Sequence, residues 1–147
     1  MFHSYASRAQ EPITYGDHLD QSSRADGVVA IGGVLKDEVG CKLDDQNMPY
    51  ECKGGSGIDN TLEIGTFDGQ PPMIILAGTT DTVTPYIYSK EAVEKAQAEG
   101  IPAELITMTG PGHVNWEDVH TNYFEDLTTN LYDLVTKDAN MMPAGCQ

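Results

Sequence analysis

The apolar positions of this chain are unevenly distributed, and their spacing changes character from segment to segment. Val28-Val29-Ala30-Ile31 is a short run entered at Gly27 and left at Gly32-Gly33. Its length and β-branched content predict a buried strand rather than a helix. Met73-Ile74-Ile75-Leu76-Ala77 is continuously apolar, the pattern of a strand covered on both faces. Ala103 to Met108 predicts a third strand. Before it, Ala92, Val93 and Ala96 share one face of a helix predicted from Lys90 to about Glu99, with Ser89 as its cap. Gly100-Ile101-Pro102 stops that helix, with glycine in the left-handed position and proline forbidding continuation. Finally, Trp116, Val119, Tyr123, Leu127, Leu131 and Leu134 recur at helical spacing and predict one long amphipathic helix. The order is strand, loop, strand, helix, strand, helix, which argues for a parallel sheet with helical crossovers.

The remaining segments lack such order. Residues 1–25 are polar, with a weak helical pattern over the first nine or so and a loop from Pro12 to Asp26. Residues 36–70 are acidic, Gly-rich and aperiodic. A loop of that length is uncommon in a compact domain and is usually functional or mobile. Cys41 and Cys52 bracket ten residues of it, which suits either a local disulfide or two unrelated reduced thiols. With Cys146 the cysteine count is odd, leaving one thiol unpaired or paired outside this chain.

Composition narrows the function classes. The 147 residues allow one domain with a modest core. Eight Lys and Arg stand against 23 Asp and Glu, a formal net charge of −15. That excess argues against nucleic acid, whose phosphates need clustered cations, and against anionic lipid. No apolar run approaches the roughly 18 residues of a membrane span, and Met1 to Arg8 lacks the basic and apolar regions of a signal peptide. No cysteine–histidine spacing suggests zinc. Asp17, His18 and Asp20 have no recognised ligand spacing and read as solvated charge. No cofactor or metal is expected.

In open parallel sheets, ligands bind beyond the carboxyl ends of the strands. Two polar constellations fall there. Gly78-Thr79-Thr80-Asp81-Thr82-Val83-Thr84-Pro85 follows the second predicted strand, and Gly110-Pro111-Gly112-His113 follows the third. Adjacent parallel strands would bring Asp81 and His113 to one rim. A carboxylate bonded to an imidazole fixes its tautomer and stabilises its protonated form, as a general base requires. On spacing alone, Asp81 is equally a turn residue and His113 a loop histidine. His3 and His18 have no partner pattern. His120 reads as a packing or surface residue, and Trp116 as a pocket lining or, preferably, an anchor for the last helix.

The run from Pro71 to Pro85, the following helix, the strand approach from Gly100 to Leu105, and Gly110-Pro111-Gly112-His113 together resemble the C-terminal part of an α/β-hydrolase of the carboxylesterase/lipase type. The resemblance covers about residues 27–136. It implies a three-layer α/β fold with a partial parallel sheet, its C-terminal three strands, and flanking helices. Residues 1–147 would form a single partial domain, with 36–70 as a long variable loop. It also implies that Asp81 is the triad acid and His113 the triad base, and that Val28 to Leu35 corresponds to the strand after the nucleophile region.

One part of the pattern is missing. Such hydrolases carry their nucleophile as Gly-x-Ser-x-Gly, and here that pattern would precede Asp81 and His113. None of the six serines (Ser4, Ser7, Ser22, Ser23, Ser56, Ser89) sits in it. Ser56, in Gly54-Gly55-Ser56-Gly57-Ile58, comes nearest but lacks the second glycine. Met1 to Tyr5 resembles the helix after the nucleophile, so the chain is expected to begin just past that point. The expected function is hydrolysis of a small-molecule carboxylic ester, with peptidases and dienelactone-type hydrolases sharing the same closing motifs. The alternatives are an inactive fragment serving as a binding, complementation or dimerising module, and a His–Asp pair that activates water. The apolar strand Val28–Ile31 is expected to present an open edge, to a second copy or to a missing N-terminal half. The parent enzyme is a candidate for secretion if Cys41 and Cys52 are bonded.

Overall fold

The structure, a computed structural model, describes residues 27–33, 36, 39–54, 64–65, 70–110 and 112–139. Three parallel strands form the central sheet: β1 (Val28–Ile31), β4 (Met73–Gly78) and β5 (Ala103–Met108), in the spatial order β1-β4-β5. Val28 pairs with Met73, and Met73 in turn with Ala103, so the three strands run in step from the same end. The central strand β4 is buried along its whole length, and Met73 through Leu76 have no exposed surface.

Alternation along β4 sorts its side chains between two cores. Met73 and Ile75 face one way, packing with Ala30 and Ala103 against Ala92, Val93 and Ala96 of helix α1 (Tyr86–Ala98). Ile74 and Leu76 face the other way, against Val119 of α2 (Trp116–Asn122) and Leu127 and Leu134 of α3 (Phe124–Ala139). The sheet therefore lies between two helical layers, which is why β4 reads as unbroken apolar sequence.

Two helix boundaries differ from the expected ones. Helix α1 starts at Tyr86, a turn before the predicted start, and Ser89 is a buried residue inside it rather than its cap. Pro85 occupies the cap position without a side-chain bond, its fixed φ setting the chain for the first turn. The C-terminal stop is as read: Gly100 has φ +76°, and the Ile101 and Gly100 amides donate to the Ala96 and Gln97 carbonyls. This is a Schellman arrangement, closed by Ile101 packing on the core beside α1. The predicted long C-terminal helix is two helices, broken at Tyr123, where the backbone leaves helical angles. Val119, Leu127 and Leu134 are buried as that spacing requires, but Leu131 is exposed, and Trp116 is 55% exposed. Trp116 does not anchor the helix to the sheet. Its ring meets Phe124 edge-on and stands beside His120 on the surface.

The acidic span 36–70 is not without structure. Strands β2 (Lys42–Leu43) and β3 (Pro49–Tyr50) form a small antiparallel ladder. Cys41 and Cys52 are joined in a disulfide directly behind it. The weak helix over the first nine residues, Asp17, His18 and Asp20, the serines Ser4 and Ser56, Leu35 and Cys146 lie outside the described residues. Among the described residues, no helix is long and apolar enough to cross a membrane.

Candidate functional site

The site is built where β4 and β5 end. After Gly78 the chain turns tightly, the Asp81 amide donating to the Gly78 carbonyl, and Asp81 drops back into the protein with no exposed surface. A buried carboxylate is tolerated only when its lone pairs are used. Here Oδ1 accepts the Val83 and Thr84 amides at 2.8 and 2.9 Å, and Oδ2 accepts the Thr84 hydroxyl at 2.8 Å. This Asx-type turn is local, drawing every one of those donors from within three residues.

The second lone-pair direction of Oδ2 is taken by His113, whose Nδ1 stands 2.8 Å away. With the carboxylate as acceptor, Nδ1 carries the proton and Nε2 carries the free lone pair. The histidine side chain is 44% exposed, and among the described residues Nε2 has no partner. A ring held by Nδ1 on a buried carboxylate, with Nε2 open, is arranged to take a proton from a group placed against it.

Two hydrogen bonds hold the two loops in register, and a capped helix follows the second loop. The Thr80 hydroxyl donates to the Gly110 carbonyl, joining the Asp81 loop to the His113 loop. At the helix side, the Tyr86 and Thr107 hydroxyls are bonded at 2.9 Å, tying the start of α1 to the end of β5. Two residues past His113, Asn115 caps α2, its side-chain oxygen accepting the Asp118 amide at 3.0 Å. His113 is thus carried on a short connection with a strand before it and a capped helix after it.

The structure brings together the two residues singled out from the sequence, Asp81 and His113. It also brings in two that the sequence reading passed over, Thr84 and Gly32. Thr84 is signalled by its place three residues after an aspartate at a strand end, a spacing suited to side-chain capping of a turn. Gly32 has no comparable signal, because its neighbour His113 is distant in sequence. Among the described residues no group of three or more His, Cys, Asp or Glu side chains converges as a metal site would require.

No protein-family model matches this chain, and no curated protein matches it. Solved structures do. An esterase of the planctomycete Thermogutta terrifontis with propionate bound is 23% identical, with a TM-score of 0.57, over 82% of this chain and 46% of its own. Thermogutta terrifontis esterase 2 phosphonylated by sarin is 21% identical, with a TM-score of 0.58, over 86% and 48%. A truncated form of a carbohydrate esterase from gut microbiota is 24% identical, with a TM-score of 0.57, over 84% and 47%. The chain has a partial α/β-hydrolase-like fold. At these identities the likeness concerns fold, and this chain spans about half the length of the structures it matches.

Proposed function

We propose that this chain supplies the acid and base of a hydrolase acting on small-molecule carboxylic esters. His113 is the general base and Asp81 the carboxylate that orients it. The observation that carries this reading is the 2.8 Å contact from His113 Nδ1 to a fully buried Asp81, with Nε2 unpartnered on a half-exposed ring. The fold likeness to esterases supports the choice of reaction class. In the reaction, Nε2 takes the proton of a serine hydroxyl as its oxygen bonds to the acyl carbon. The same proton then passes to the departing alcohol, and water, deprotonated by the same ring, releases the acid.

The serine itself has no Gly-x-Ser-x-Gly setting in this sequence. It comes either from a second polypeptide or from Ser56 or Ser4. A fluorophosphonate probe tests this directly, and one of the matched esterases is itself phosphonylated by sarin. Stoichiometric labelling of the full chain at a mapped serine, lost in His113→Ala, is the expected result for a self-sufficient site. Labelling and short-chain ester turnover that arise only with an added N-terminal hydrolase half would identify a split site. Turnover without labelling would point to water as the nucleophile.

A second reading, an inactive module that associates through its sheet edge, draws on one observation. Strand β1 is bonded to β4 along one edge, no strand among the described residues pairs with the other, and Val29 is 40% exposed. Such an edge is a template for pairing with a second copy. The charge of −15 opposes that association, so it should strengthen as salt rises. A monomeric sedimentation profile from low to high salt, across a wide protein concentration range, counts against it.

A further inference from the structure

Among the described residues, the hydrogen-bond partners of the His113 ring lie outside its own loop. Besides Asp81, the groups around the ring are Thr84, on the Asp81 loop, and Gly32, at the end of β1. The Thr84 hydroxyl lies 2.8 Å from Asp81 Oδ2, 3.3 Å from the Gly32 carbonyl oxygen and 3.5 Å from His113 Nδ1. It stands where acid, base and strand end meet. Its single hydrogen goes to the carboxylate, a stronger acceptor than the Gly32 carbonyl, since Nδ1 is itself a donor. Oδ2 then receives the Thr84 hydroxyl and the His113 N–H together, and two donors fix its direction more narrowly than one.

Gly32 lies against the Cε1–Nδ1 edge of the ring. Its amide donates to the Leu76 carbonyl, so the residue is tied to β4, and its φ of +55° lies in the left-handed region. A Cβ there would sit 3.0 Å from His113 Cε1, 3.4 Å from Nδ1 and 3.1 Å from the Val114 carbonyl oxygen. Cε1 lies between the two ring nitrogens, so pressure on it moves Nδ1 relative to its acceptor. The absent side chain is what lets the Cε1–Nδ1 edge of the imidazole approach the end of β1.

We infer that Thr84 and Gly32 are positioning residues that set the orientation of His113, Thr84 by fixing the carboxylate oxygen it bonds and Gly32 by leaving room for the ring. This rests on the acid–base reading above, and it adds β1 to the elements that build the site. Neither residue touches substrate in this assignment. Their effect passes through the Nδ1–H bond.

The test is proton NMR of the full chain with 15N-labelled histidine, which needs no nucleophile and no substrate. Wild type is expected to show a His113 Nδ1–H resonance protected from exchange with water. Thr84→Ser, which keeps the hydroxyl, should retain it. In Thr84→Val, which is isosteric without the hydroxyl, exchange should be about tenfold faster, the scale of one net hydrogen bond. Gly32→Ala should show the same loss, with the sheet amides of β4 and β5 unshifted in both variants. Exchange in Thr84→Val at the wild-type rate would overturn the assignment even if Gly32→Ala failed to fold. A wild-type resonance that is absent, or unchanged in Asp81→Asn, would sink the acid–base reading itself and this inference with it.

Discussion

The two halves of the candidate site are held in opposite ways. Asp81 is fully buried, and three of the four hydrogen bonds to its carboxylate come from residues 83 and 84. His113 is 44% exposed, and its ring is oriented by residues 29 to 81 positions away in sequence. The Asp81 arrangement is a local structure that its own loop completes. The His113 arrangement is a tertiary structure that depends on β1, β4 and β5 being in register. A burial-based view would rank Asp81 as the structural residue and His113 as dispensable; a chemical view reverses that ranking.

Substitution at the two positions should separate these views most widely. If a serine is present, His113→Ala is expected to lower ester turnover by roughly 10⁶-fold and Asp81→Asn by roughly 10⁴-fold, by analogy with serine hydrolases generally. Stability should follow the opposite order. Asp81→Ala leaves the Val83 and Thr84 amides and the Thr84 hydroxyl without their acceptor, and should cost about 2–4 kcal/mol. His113→Ala removes a half-exposed ring and should cost about 1 kcal/mol or less. Denaturant melts of the two variants, set beside their activities, check both rankings. Equal destabilisation would mean that Asp81 is no more built in than His113.

A smaller effect should come from the disulfide. Cys41–Cys52 closes a loop of separation 11, a constraint worth about 3 kcal/mol on the unfolded chain. Next to it, the Gly40 amide donates to the Val83 carbonyl at 3.0 Å, and the Val83 amide in turn serves Asp81. The bridge therefore buttresses the Asp81 loop. Reduction, or paired replacement of both cysteines by serine, should lower stability by up to that amount. The His113 Nδ1–H signal should persist at moderate temperature. Its loss on reduction, with the fold intact, would show that the Asp81 loop is less self-sufficient than its local bonds suggest.

The same contrast accounts for what could be read from the sequence. Continuous burial of β4, the Gly100 stop and the pairing of Asp81 with His113 follow from local pattern plus the rule that parallel strands deliver their C-terminal loops to one rim. Ser89 has the chemistry of a cap and so suggests a later start for α1, while Pro85 opens the helix a turn earlier without a side-chain bond. The break at Tyr123 was hidden because the apolar repeat continues through it in near-helical phase. Helical spacing marks a stripe of positions without saying where the stripe ends; Val119 is inside and Trp116 is on the surface. Gly32 could not be read as a site residue, since its role depends on a ring 81 positions away.

The smallest expected effect falls on the one local handle that the His113 loop does possess. Asn115 caps α2 through the Asp118 amide, and its side-chain nitrogen donates to the Asp118 carboxylate at 2.6 Å. Removing the cap with Asn115→Ala should cost about 1 kcal/mol, whereas Asn115→Ser should recover most of it. Because Val114 and Val119 remain buried on either side, α2 should stay docked while its first turn frays. Fraying reaches His113 only through the two intervening bonds of the chain, so turnover should fall a few-fold at most, with no change in the tautomer. Nδ1–H exchange accelerated in Asn115→Ala as much as in Thr84→Val would mean that His113 is oriented from its own loop after all. The opposition between a locally built Asp81 and a tertiary-built His113 would then fail.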